Sequence, residues 1–147
     1  GSNIYDFHMK YMFSDPEGTG PVLSIAPAMS FYAIGTGGGA AMAGHLNLPL
    51  LVGLPIGEHQ LVFGPRLITI FGGGGGGGGS AGAAIVMAGS SFSFAAQAGD
   101  RFGIIPELTL AYPIVAAAAG GGESAAGSVF GDGLLVEFKL GFLIGSQ

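Results

Sequence analysis

Histidine, serine and carboxylate side chains are the residues with which this sequence could do chemistry. Asp6, His8 and a serine such as Ser24 are the residue types of an acyl-transfer site, where a base activates a hydroxyl group and an acid orients the base. His45 with Asn47 is a second candidate pair. No spacing singles out either set, and the sequence contains neither a GxSxG nor an HExxH motif. The elements that carry these side chains therefore decide whether they meet.

Two stretches alternate between bulky apolar residues and small or polar residues. Residues 102–114 place an apolar or aromatic side chain at every second position, and the positions between them include Gly103, Thr109, Ala111 and a single carboxylate, Glu107. Residues 4–13 show the same period, with three ionisable residues in the alternate positions: Asp6, His8 and Lys10. A period of two places the two residue sets on opposite faces of a β-strand.

The same pattern predicts seven strands, at residues 4–13, 22–33, 45–56, 61–71, 85–97, 102–114 and 134–144. We expect the second strand to be irregular near its middle, because Pro27 has no amide proton to donate. An eighth strand is placed in residues 117–131 only because bacterial single-chain barrels have an even number of strands. Three glycine- and alanine-rich tracts are interpreted as loops or as replaced loop segments, at residues 36–44, 72–84 and 116–127.

The composition favours a membrane protein built from strands. Charged residues make up 9% of the 147 residues and the mean hydropathy is +0.62, whereas about 25% of a typical soluble domain is charged. The charge-free runs at residues 18–57 and 67–99 are long enough for a membrane helix, but they contain many prolines and the eight glycines Gly72–Gly79. The sequence therefore predicts one all-β domain, an antiparallel up-and-down transmembrane β-barrel spanning residues 1–147 with its bulky face toward lipid.

The other face of the predicted strands forms a polar lumen. Its three carboxylates and three basic groups balance, while the turns carry the net charge of −5. A narrow lumen requires such a balance, since an unpaired buried charge costs several kcal/mol. This cluster is interpreted as a polar plug that holds the strand register, with a proton or ion path or a hydrolytic group as alternatives. The predicted lumen network is Asp6, His8, Lys10, Arg66, Glu107, Glu137 and Lys139.

Several classes of ligand are not expected. The three histidines are scattered and there is no cysteine, so we expect no metal site. The glycine tract matches GxGxxG by composition alone, with no charge nearby to place a phosphate, so no nucleotide cofactor is expected. Four lysine and arginine residues are too few for a nucleic-acid interface.

As a set, the strands, especially YDFHMKYMF at residues 5–13 and FGIIPELTLAYPI at residues 102–114, resemble the small outer-membrane barrels of Gram-negative bacteria, the OmpA-type transmembrane domain. The resemblance implies a location in the bacterial outer membrane, both termini on the periplasmic side, and membrane lipid as partner, with other envelope proteins as further candidates. Such barrels usually end in an aromatic residue, whereas this sequence ends IGSQ and Phe142 is the nearest aromatic residue. The predicted lipid-facing aromatic girdle is Tyr5, Tyr11, Phe13, Phe102 and Tyr112.

Family members of this kind have different activities, so several functions stay open. The leading hypothesis is a structural, anchoring or protein-interaction barrel with a lumen filled by its own side chains. The alternatives are a lipid-modifying enzyme and a narrow channel. A soluble barrel that binds an apolar ligand is a further alternative, although its outer face would then be made of serine, alanine and glycine with few charges.

Overall fold

The computed structural model describes residues 2–13, 20–36, 39–76, 79–97, 102–120, 123–127 and 133–144, and in these ranges it is an all-β protein. The strands are β1 (Ser2–His8), β2 (Tyr11–Met12), β3 (Val22–Ile25), β4 (Ala28–Thr36), β5 (Gly39–Ile56), β6 (His59–Gly76), β7 (Gly79–Gln97), β8 (Phe102–Gly120), β9 (Glu123–Gly127) and β10 (Leu135–Ile144).

The strands form one antiparallel sheet that curls as a half-barrel. Its strand order is β1-β4-β5-β6-β7-β8-β10, and it occupies seven strand positions over an arc of 203°. β2 continues the edge begun by β1 and pairs with β3, while β9 and β10 pair with successive parts of β8. Each of the seven strand positions pairs with the position that follows it along the chain, as an up-and-down meander requires.

The first two predicted strands are both interrupted. β3 ends at Ile25 and β4 begins at Ala28, so the irregularity expected at Pro27 is confirmed. The carbonyl of Pro27 accepts a hydrogen bond from the amide of Met9 at 3.0 Å, beside the break between β1 and β2. The break between β1 and β2 therefore lies beside the break between β3 and β4. An interruption in one strand removes the backbone partners of the strand next to it.

Within the described residues the glycine-rich tracts are strands, not the loops that the sequence suggested; residues 37–38, 77–78 and 121–122 lie outside the described ranges. Gly72–Gly76 lies in β6 and pairs with residues 79–83 of β7, and residues 39–44 open β5. Glycine has little intrinsic preference for strands. These segments pair because the register of the adjoining apolar strands runs on into them, so β6 and β7 form one long hairpin.

The eighth strand predicted in residues 117–131 is wrong. Residues 117–120 end β8, and residues 123–127 form β9, which precedes β10 along the same edge of β8; residues 128–131 lie outside the described ranges. Ser2 and Ile144 lie at opposite ends of the sheet, because the first and the last of seven antiparallel strands run in the same direction. Termini on one side, as the resemblance implied, would require an even number.

In the middle of the sheet one face is more buried than the other, whereas the concave face also carries exposed side chains toward the β1 edge and the glycine-rich end. The buried apolar residues among those described are Ile68, Met87 and Ala111, and they lie on the same face because Ile68 pairs with Met87 and the next row pairs Gly89 with Ala111. On the other face large apolar side chains are exposed, including Leu67 and Tyr112. The buried face is the concave one, since curling brings its side chains together.

Candidate functional site: the polar concave face

The register of the sheet collects most of the polar strand residues on its concave face; Thr69 and Ser90 lie on the convex face, since they pair with Leu46 and Leu110. Residues paired across antiparallel strands point to the same side, and the pairs Asp6–Ser30 and Ser30–His45 form one continuous row. We use the name polar face for the following residues: Asp6, His8, Ser24, Ser30, His45, Asn47, Arg66, Ser91, Ser93, Glu107, Thr109, Glu137 and Lys139. Isoleucines also lie on this side, where Ile70 pairs with His45 and Ile85.

Arg66 and Glu107 form an ion pair at the centre of the polar face. Arg66 Nη2 donates to Glu107 Oε1 at 2.7 Å, and the two side chains are 4% and 26% exposed. The Thr109 hydroxyl donates to the same carboxylate oxygen at 3.3 Å, and Thr109 is fully buried. Two of the predicted lumen residues are therefore in direct contact, and burial makes the geometry of their pair energetically important.

Small residues on the intervening strand allow this contact. Arg66 on β6 pairs with Gly89 on β7, which pairs with Ala111 on β8. A Cβ atom added at Gly89 would lie 2.6 Å from the Cβ atom of Ala111 and closer still to the carbonyl oxygen of Leu110. The absence of a side chain at Gly89 leaves space on the polar face for Arg66 to cross β7 and reach Glu107.

A second ion pair lies on the edge strand β10. Lys139 Nζ and Glu137 Oε2 are 3.1 Å apart, and their side chains are 46% and 37% exposed. Both residues point to the polar face because they are two positions apart on one strand. His45 on β5 lies within electrostatic range of Glu137, Lys139 and Arg66. The curl of the sheet therefore brings ionisable groups from β5, β6 and β10 toward one another.

The remaining predicted lumen residues are not part of this cluster. Asp6 and His8 are exposed on β1, and Lys10 is exposed between β1 and β2. Within the described ranges these three side chains form no ion pair with Arg66, Glu107, Glu137 or Lys139. They lie on the opposite edge of the sheet from β10, so they would meet the cluster only if the barrel were closed.

The candidate residues for a hydrolytic site, Asp6, His8 and Ser24, are distributed along the polar face. His8 pairs with Ala28, and Ser24 pairs with Met12, so the two candidates lie in different rows. Sequence reasoning missed Ser30, which lies between Asp6 and His45 in one row. In a hydrolytic triad the histidine lies between the serine and the acid, whereas the order in this row places the serine between the other two.

The predicted lumen network also left out three buried polar residues near Arg66, although Asn47 had been considered with His45 as a candidate pair. Asn47, Ser91 and Thr109 are each at least nine-tenths buried on the polar face. Asn47 Oδ1 and Arg66 Nε are buried without a hydrogen-bond partner among the described residues, and buried polar atoms of this kind cost free energy. The sequence did contain a signal for these residues. Serine, threonine and asparagine recur at every second residue of the predicted strands, on the side assigned to the lumen.

The predicted girdle residues all lie on the convex face. Tyr5, Tyr11, Phe13, Phe102 and Tyr112 are exposed. Tyr11 and Phe13 make an edge-to-face contact with ring centroids 5.1 Å apart, and Phe102 stacks on Phe142 at 6.2 Å. One aromatic pair thus lies on the β1–β2 edge, and the other joins β8 to the edge strand β10.

The described part of the chain holds no group of three or more histidine, cysteine or acidic residues arranged to bind a metal ion. No helix in the described ranges is long and apolar enough to cross a membrane. Comparison with known protein families, with curated proteins and with solved structures gave no match.

Proposed function

We propose that this protein is an integral β-barrel component of the bacterial outer membrane that acts as an anchor, scaffold or interaction partner. In this proposal the half-barrel is part of a closed barrel, the convex face contacts lipid, and the polar face lines the lumen. Closure follows from membrane chemistry, because a sheet edge exposed to lipid would leave backbone amide and carbonyl groups without hydrogen bonds.

The separation of side chains between the two faces carries the proposal. The polar face carries the charged residues Asp6, Arg66, Glu107, Glu137 and Lys139. The convex face presents side chains such as Leu48, Leu67, Phe92 and Phe138, which are 37–69% exposed. A soluble protein rarely exposes so continuous an apolar surface. Lipid contact explains it without a further partner.

The extent of the apolar surface matches a membrane. On β6 the convex apolar residues run from Leu61 to Phe71 and give way to the glycine segment. These eleven residues are about 33 Å long at roughly 3.3 Å per residue. At the strand tilt of about 40° found in outer-membrane barrels, this length covers about 25 Å of membrane thickness, the height of the usual apolar band.

The decisive experiment is to fold the protein in detergent and in detergent-free buffer. We expect a β-type circular dichroism spectrum in detergent, and a band that changes mobility on heating in a denaturing gel. The same measurements in buffer should show aggregation or loss of structure. A stable monomeric β protein in plain buffer would disprove the membrane proposal and support the soluble barrel with an apolar ligand.

A charge on the convex face provides a second test. Leu67 lies near the middle of the apolar part of β6 and is 40% exposed. We expect Leu67→Arg to lower the free energy of unfolding in lipid bilayers by about 2–4 kcal/mol, because arginine on the lipid face is costly at the midplane. Urea titration in liposomes, followed by the heat-modifiable gel band, measures this loss.

Met42→Arg is the matched control for Leu67→Arg. Met42 is also exposed on the convex face, but it pairs with Gly73 in the glycine-rich extension beyond the apolar band. Its substitution should change the stability by less than about 1 kcal/mol, because the cost of a charge falls toward the membrane interface. Small and equal effects at both positions would indicate that the convex face is not in contact with lipid.

A channel is the second candidate function. The polar face contains small residues between its charged groups, including Gly53, Gly64, Ser91 and Gly103. Residues of this size fill less of a lumen than the long side chains that a plug requires. Single-channel recording in planar bilayers would distinguish the two functions, since a plugged barrel gives no unitary steps.

A further inference from the structure

We propose that a second copy of this chain completes the barrel, so that two half-barrels form one ring of fourteen strands. The inference rests on the proposed function, because only a lipid environment obliges both edges of the sheet to pair. Within the described ranges, β1 pairs only with β4, and β10 pairs only with β8. Each copy therefore offers one free edge on either side of its polar face.

The arc of the sheet favours two copies over closure of one chain. Seven strands cover 203°, so a ring of two copies needs each sheet to open by only about 23°. One chain closing on itself would have to bring its edges across the remaining arc of about 157°. The longest stretch between described ranges is six residues, 14–19, which is shorter than the roughly 9–11 residues of a membrane-crossing strand.

The direction of the edges fixes how the copies meet. Because the sheet has seven antiparallel positions, β1 and β10 run in the same direction. Two copies with the same orientation in the membrane can therefore pair β10 of each copy with β1 and β2 of the other. These strands would be parallel. Parallel closure of an odd-stranded sheet has a precedent among membrane barrels, in a mitochondrial channel of nineteen strands. The pairing is reciprocal, as a closed two-fold ring requires.

Charge and length select the same register. Placing Lys139 beside Asp6 of the second copy sets opposite charges together on the polar face. It also aligns residues 135–144 with residues 2–11, so all ten residues of β10 lie along the β1–β2 edge. Placing Glu137 beside Lys10 instead would leave four of the ten residues of β10 beyond Phe13, the last described residue of that edge. The first register keeps both convex faces continuous.

Cysteine cross-linking tests this interface directly, because the chain has no cysteine of its own. In the proposed register Phe7 of one copy lies beside Leu140 of the other, and both are exposed on the convex face. Phe7→Cys and Leu140→Cys chains carrying different affinity tags are folded together in detergent and oxidised. We expect a disulfide-linked dimer that contains both tags, and a protein mass in detergent twice the chain mass of 14.5 kDa.

Two controls distinguish a specific link between copies from a non-specific link and from a link within one chain. Leu67→Cys is also exposed on the convex face but lies in the middle of the sheet on β6, so it should form no link with Phe7→Cys. The double variant Phe7→Cys/Leu140→Cys should form a dimer with two links. A monomer with an internal disulfide would overturn the two-copy ring and show self-closure.

The outcomes separate this inference from the proposed function. A heat-modifiable β protein in detergent that has the mass of one chain and forms no link between copies would overturn the two-copy ring, and the outer-membrane proposal would stand. Folding as a monomer in plain buffer would overturn both. A mixed-tag dimer that forms only in detergent would support both.

Discussion

Replacing Glu107 by glutamine should lower the free energy of unfolding by about 3–5 kcal/mol, because it leaves the Arg66 guanidinium buried without an opposite charge. The Arg66 side chain is only 4% exposed, and its contact with Glu107 is 2.7 Å long. Glutamine has nearly the same shape and can still accept the hydrogen bond from Thr109. The loss therefore reports on charge and not on packing. Urea unfolding in detergent, followed by circular dichroism, measures it.

Removing the second charge should restore most of that stability. In Arg66→Met/Glu107→Gln no buried charge lacks a partner, and neutral replacements of buried ion pairs are often close to neutral in stability. A double variant as unstable as Glu107→Gln alone would show that Arg66 contributes through its packing, since its long stem crosses β7. The two single variants and the double variant together form a thermodynamic cycle for the pair.

Glu137→Gln is the matched control, because it makes the same chemical change in the ion pair on β10. That pair is 3.1 Å long and its side chains are 46% and 37% exposed. Solvent screens such pairs, so the change in stability should be below about 1 kcal/mol. Equal losses at residues 107 and 137 would contradict the burial difference on which the prediction depends.

The two faces of the sheet could be predicted from the sequence, because they depend on a local property. Side chains alternate along any strand, so placing Arg66 on the inward face also placed Ile68 and Gly64 on that face. The structure pairs Arg66 with Gly89 and Asn47 with Ile68, so the predicted inward residues of β5, β6 and β7 share one face. The partner of Arg66 could not be predicted, since contact with Glu107 requires the register of three strands.

The extent and number of the strands were harder to predict. Glycine has no side chain to alternate, so residues 72–76 carry no periodic signal although they pair fully with β7. The predicted eighth strand depended on an even count and not on a pattern, and its residues belong to β8 and β9. Strand number is a property of closure, which no local stretch of sequence encodes.

Strand number in turn decides what the polar face can do. Eight strands enclose a lumen that side chains fill, whereas barrels of about sixteen strands leave an aqueous channel. The polar face of a single copy combines one buried ion pair with glycine and serine residues. In a ring of fourteen strands these groups would line a wide opening, so the two-copy inference and the channel hypothesis support each other.

Adding one methyl group at Gly64 should be among the most disruptive changes in the sheet. A Cβ atom there would overlap the carbonyl oxygen of Leu50 and lie 2.9 Å from its carbonyl carbon. These atoms belong to the backbone of β5, which cannot turn aside as a side chain can. We expect Gly64→Ala to lower the free energy of unfolding by about 3 kcal/mol, the upper end for overpacked sites, because β5 and β6 must separate locally.

Gly141→Ala tests whether this cost comes from the close approach of the strands. Gly141 also lies on the polar face, but an added Cβ atom would meet its nearest neighbours, the Cβ and carbonyl oxygen of Ile105, at 3.6 Å. That distance is an ordinary contact, and alanine restricts the unfolded chain, so Gly141→Ala should be neutral or stabilising by up to about 1 kcal/mol. Urea titration of both variants in detergent measures the difference. If Gly64→Ala were as stable as Gly141→Ala, β5 and β6 would be farther apart at Leu50 than described, and the register that joins Pro49 to Arg66 and Val52 to Phe63 would need revision.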